Sequence, residues 1–124
     1  MKLSSAILSF ALAAASAAAS AADGLIELKS QHAAKATMDK LEELVKQRGL
    51  SVFARIDHAA GAAKVNKSLR ATELLIFGNP QGGTPLMECA QSAGIDLPLK
   101  ALAWEDAQGQ AWLGYNDPAW LAKR

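Results

Sequence analysis

Two short stretches hold the residues most suited to chemistry: Asp57 and His58 within ARIDHAAGAA (54–63), and the glycines, prolines and amide of FGNPQGGTPLM (77–87). A carboxylate beside an imidazole can serve as an acid–base pair or begin a metal site, because histidine titrates near neutral pH. Neighbours on a strand point to opposite faces, however, so Asp57 reads more simply as the N-cap of the alanine-rich segment that follows. The glycine-rich stretch is not a P-loop, since Thr84-Pro85 stands where Lys-Ser/Thr is needed, and Gly78-Gly82-Gly83 has the wrong spacing for a dinucleotide fingerprint. It does offer a helix start. With Thr84 as N-cap and Pro85 at the first helical position, Gly82-Gly83 would lead into backbone N–H groups that favour an anion, less the donor that Pro85 removes. Asn79, ahead of Pro80, is pushed extended and leaves its amide for a local hydrogen bond. Asp57, His58, Asn79, Gly82, Gly83 and Thr84 are thus the candidate ligand-binding residues, against the simpler use of both stretches as turns and caps.

A weaker set of candidates is metallic. His58, Met87 and Cys89 are soft donors of a kind that suits copper in an oxidising compartment, although no recognised spacing joins them. Ser51, Ser68 and Ser92 lack the context of a nucleophile elbow. An enzyme using His58 as general base, helped by Asp57 or Glu73, therefore has neither nucleophile nor substrate fixed, and a non-catalytic role is favoured. The sequence leaves any cofactor open.

The elements that must position these residues follow from periodicity. Gly24–Ser30 is a short strand. Ala34, Thr37/Met38, Leu41 and Leu44/Val45 recur at helical spacing, with charged residues opposite and Gly49 as the stop. Leu50–Ile56 alternates as a second strand, His58–Val65 makes one or two helical turns, and the apolar run TELLIF (72–77) predicts a central strand buried on both faces. A short helix is expected over Pro85–Ala93. Leu97–Glu105 and Gln110–Tyr115 form a hairpin around Asp106-Ala-Gln-Gly109, whose register sets Trp104 opposite Trp112. Asp117-Pro118 caps a last short helix carrying Trp120. The order predicts an α+β domain: one largely antiparallel sheet with helices packed on one face.

Composition limits the partners. Lys2 opens an apolar Leu3–Leu12 segment and an Ala/Ser tract that ends in Ala19-Ser20-Ala21, so residues 1–21 are expected to be a cleaved signal peptide rather than a membrane anchor. The remaining 22–124 make one small domain with a modest core. The chain has 13 basic and 12 acidic side chains, even once Lys2 is removed, and no basic run, which argues against nucleic acid or an anionic membrane surface. The single cysteine, Cys89, has no internal disulfide partner and is expected to be a buried thiol.

VFARIDHAAGAA, ATELLIFGNPQGGTPLM, IDLPLKALAWED with Gly109, and YNDPAWLAKR occur in order over nearly all of 22–124, and together they resemble the DUF302 family. The resemblance implies a TT1751-like α+β fold, often dimeric, in an exported or periplasmic bacterial protein whose biochemistry is unassigned. Two departures stand out: Asn66 lies where relatives typically carry glycine, and Cys89 where a thiol is unusual. Many relatives also run past Trp120-Leu121 into a longer helix, so one sheet face is expected to be less covered here. The functional expectation is a periplasmic or secreted binding module for a small ligand, anion or metal, with a homodimer among the expected assemblies. A structural or interaction domain marked by Trp112 or Trp120 is the alternative.

Overall fold

A computed structural model describes residues 22–123. The leader reading falls on residues outside that range. Five strands form one antiparallel sheet: β1 (Leu25–Ser30), β2 (Ser51–Asp57), β3 (Thr72–Gly78), β4 (Leu99–Glu105) and β5 (Ala111–Asn116), in the spatial order β1-β5-β4-β3-β2. Among the described residues the helices are α1 (Ala34–Gln47), α2 (His58–Lys64), α3 (Pro80–Cys89) and α4 (Pro118–Leu121), with a 3-10 segment at Gln91–Asp96. The element order expected from sequence is the order found.

Helix α1 lies across one face of the sheet, meeting β2, β3, β4 and β5. Ala34, Met38 and Val45 recur on its inward side and are buried, with Leu41 packed beside them. They cluster with Leu75 and Ala103, also buried, while Ala101 and Ala111 are buried elsewhere in the sheet. Ala34 and Ala103 let the helix approach the strands closely, and Met38 is fully buried between them and the rest of the cluster. At the far end of α1 the N–H of Gly49 bonds the carbonyl of Lys46, and that of Leu50 bonds the carbonyl of Val45. This is the Schellman pattern, and Gly49 supplies the φ of +75° that it requires.

The opposite face of the sheet departs from expectation. Within TELLIF only Leu75 is buried, whereas Leu74 and Ile76, pointing away from α1, stay partly exposed. An inner strand needs neighbours on both edges, and β3 has β2 and β4, but two-sided burial also needs a layer over each face. Among the described residues α1 covers one face, and the side chains of Leu74 and Ile76 on the other stay partly exposed. On the open side Trp104 and Trp112 stand opposite each other as the hairpin register predicts, with ring centroids 6.4 Å apart and planes 17° apart.

The turn joining β4 to β5 is held by one carboxylate. Asp106 accepts from the backbone N–H of Gln108 and Gln110 and from the Trp112 indole N–H, each at 2.9 Å. The indole bond is the main reason its carboxyl lies below the usual aspartate range, against a smaller opposing effect of burial.

Candidate functional site

The two marked stretches do not meet. Ser51 at the start of β2 pairs with Gly78, whereas Asp57 at its end pairs with Glu73. Six residues of strand separate those levels, roughly 20 Å at the usual rise. Asp57 and His58 therefore sit at one end of the sheet, and Asn79, Gly82, Gly83 and Thr84 at the other. A single site holding all six is corrected to two separate places. The copper reading is corrected for the same reason, since Met87 and Cys89 belong to α3 at the Gly78 end. Among the described residues no three His, Cys, Asp or Glu side chains cluster as a metal site would require.

At the His58 end, Asp57 is the N-cap of α2 and its carboxylate accepts from the N–H of Ala60 at 2.9 Å. Glu73 bonds Arg55 at 2.8 Å. Both carboxylates that might have assisted His58 are thus engaged elsewhere. Arg55 is the hub of this region: it also reaches Asp39 at 2.7 Å and Glu42 at 3.0 Å, tying α1 to β2 and β3. Burial opposes its charge, but hydrogen bonds to Glu73, Asp39 and Glu42 outweigh that and hold its pKa above the ordinary arginine value. The cluster is an ion-pair brace for the helix.

The other end carries a groove. Helix α3 begins earlier than expected, at Pro80, with Asn79 as N-cap in an extended conformation accepting from Gln81 N–H at 2.9 Å. Thr84 and Pro85 fall inside the helix, not at its start. Asn79-Pro80 is the same cap-and-proline pair as Thr84-Pro85, and it lies directly at the end of β3, so it captures the helix start despite the two glycines that follow. The groove lies between α3, the starts of β2 and β4, and the Leu97-Pro98-Leu99 segment, with a volume of about 550 Å³. Leu50, Phe53, Leu86, Met87, Leu97 and Leu99 give it walls of carbon; Asn79 and Thr84 are the polar side chains that line it. Phe53 and Leu86 remain 53% and 56% exposed, a cost a protein normally avoids unless the surface is used.

Glycine shapes the groove. A Cβ on Gly83 would touch Leu97, a wall of the groove, at 3.5 Å, while one on Gly82 would meet nothing within 4 Å. Cys89, expected to be buried, is exposed at the end of α3. Sequence reasoning identified Asn79, Gly82, Gly83 and Thr84 but missed Phe53 and the Leu97–Leu99 wall. The available signal was three large apolar residues in Leu97-Pro98-Leu99 and Phe53 next to a break in strand alternation.

An antiparallel sheet backed by a helix, with an apolar groove at its end, defines a small α+β domain. The chain belongs to DUF302, described as a domain of unknown function, whose family model matches residues 26–124. A crystal structure of an uncharacterized conserved DUF302 protein from Bacillus stearothermophilus is similar with a TM-score of 0.74 and 20% identity, over 82% of this chain and 80% of that one, and shows the same fold. The chain is also 50% identical over 101 residues to a protein of Brucella suis biovar 1 (strain 1330) named fluoride-specific ion channel FluC 1. A protein of the same name from Brucella abortus biovar 1 (strain 9-941) is equally similar. The matches cover 82% of this chain but 40% and 37% of those proteins, so the chain spans about two fifths of the length of these relatives.

Proposed function

We propose that this chain is a non-catalytic binding module, exported by its leader, whose groove takes a small molecule with an aliphatic or aromatic body. The observation that carries the reading is the groove itself: about 550 Å³ walled by apolar side chains, with Asn79 and Thr84 as the polar groups. That is the general form of a small-ligand site, in which carbon supplies affinity and a few polar groups supply orientation. A free anion or a metal ion would find little to hold it there. Binding of the environment-sensitive dye N-phenyl-1-naphthylamine, and its displacement by alkyl carboxylates, tests this. Gly83→Leu should fill the groove and abolish the dye signal, whereas His58→Ala, at the other end of β2, should leave it unchanged. Equal dye binding by wild type and Gly83→Leu would remove the groove from consideration. The export step predicts that the mature protein begins at Ala22 or Asp23, read by N-terminal sequencing.

A second reading rests on the Brucella relatives, in which a similar domain is part of a longer protein named as a fluoride channel. On that reading the module serves such a channel, its groove taking a ligand or segment that adjusts ion passage. Deleting this chain from its host should then lower fluoride tolerance; unchanged growth across a fluoride series counts against it.

A further inference from the structure

We propose that the groove selects carboxylic acids: an alkyl or aryl body lies against Phe53, Leu86 and Leu97, and its carboxylate meets the Lys100 amine. This rests on the groove as the binding site and adds which guests it prefers. Among the described residues that line the groove, none is charged. Lys100 is the next residue after the Leu97-Pro98-Leu99 wall. Its neighbour Ala101 pairs with Leu75, on the face that α1 covers, so Lys100 stands on the other face, opposite Ile76. There the side chain folds back and its amine donates to the Pro98 carbonyl at 3.3 Å. The charge is thereby held against a wall residue, at the margin of the groove. An ammonium carries three donors, and the Pro98 carbonyl takes one.

The polar groups of the groove favour the same guest. Asn79 spends its side-chain oxygen on the Gln81 N–H, so its amide is left with N–H groups to offer, and Thr84 adds a hydroxyl. Donors beside an ammonium suit a head that accepts, and a carboxylate accepts on two oxygens. Charge also sets the direction of the guest. A shallow opening lined by Thr84, Met87, Glu88, Cys89 and Gln91 shares its first two residues with the groove, and Glu88 there repels an anionic head. The head is thus directed to the Pro98 side. One amine in contact with water does not hold a bare anion, because such an ion pair is weak. It discriminates among guests whose body the groove already holds, and about 550 Å³ is ample for that body.

Displacement of N-phenyl-1-naphthylamine by decanoate, decanol and decylammonium at neutral pH reads the preference. Decanoate should compete at about tenfold lower concentration than decylammonium, and octanoate should be roughly fifteenfold weaker than decanoate, at about fourfold per methylene. Lys100→Gln should raise the decanoate midpoint about tenfold while dye and decanol stay unchanged, and Lys100→Arg should keep the preference. A lysine that only supports the Pro98 segment would shift all the ligands together, and that result overturns the proposal. Equal competition by decanoate and decylammonium, with the dye bound, overturns it and leaves the groove reading standing. Where the dye is silent, calorimetry of decanoate takes its place, and no heat removes the groove reading and this inference together. Association with phosphatidylglycerol vesicles but not with monomeric decanoate assigns the amine to a lipid surface and overturns it too. Should Lys100→Gln fail to fold, salt decides: added sodium chloride should weaken decanoate relative to decanol, and an equal response of the two overturns the proposal.

Discussion

Asn66 occupies φ 58°, in the left-handed region where a Cβ crowds the following carbonyl and where glycine or asparagine is favoured. Glycine takes this angle without strain, and among the other residues asparagine tolerates it best. Asn66→Gly should therefore hold or slightly raise the thermal midpoint. Asn66→Val should lower stability by about 1–2 kcal/mol, measured by chemical denaturation. At this scale the sequence was readable wherever the determining contact is local. Asp57 as a cap needs only the N–H of Ala60, three residues on. The partnership of His58 with Asn79 was not readable, because it depended on which ends of β2 and β3 lie together, and antiparallel pairing set them apart.

Elements show the same division between local and tertiary control. The helix over Ala34–Gln47 was legible from its apolar spacing and from Gly49, and the β4–β5 register from the Asp106–Gly109 turn. Helix α3 was placed too late because two cap-and-proline pairs compete, and position relative to β3 decides between them. The open sheet face was equally hidden, since an apolar run reports apolar residues and not whether a second layer covers them. Helix α4 depends on one glycine: a Cβ on Gly24 would fall 2.3 Å from the Trp120 ring, and Gly24 itself has φ +78°. The N–H of Asp117 bonds the Gly24 carbonyl at 2.7 Å, closing the chain end onto β1. Gly24→Ala should cost more than about 1 kcal/mol and release Trp120, seen as a red shift of its emission.

At the scale of the molecule, stability is tied to pH through a few carboxylates. Hydrogen bonds from Arg55 and then Lys35 hold the Asp39 carboxyl below its usual range, and those from Lys46 and then Arg55 do the same for Glu42. Asp106 is lowered chiefly by Trp112. A carboxylate whose pKa is lower folded than unfolded stabilises fully above the unfolded value, and that stability is lost as pH falls through the folded one. Denaturation midpoints should therefore be flat above about pH 5 and fall progressively below about pH 4. A flat profile through that window would contradict the ion-pair brace. A different partition follows from how α3 packs. It rests mainly on the 3-10 segment after it rather than on the sheet, and no residue of either is buried. Amide hydrogens in 82–96 should therefore exchange with solvent deuterium through local opening, long before those of Leu75 or Ala103, and a guest lodged beneath that lobe would announce itself as slowed exchange confined to it.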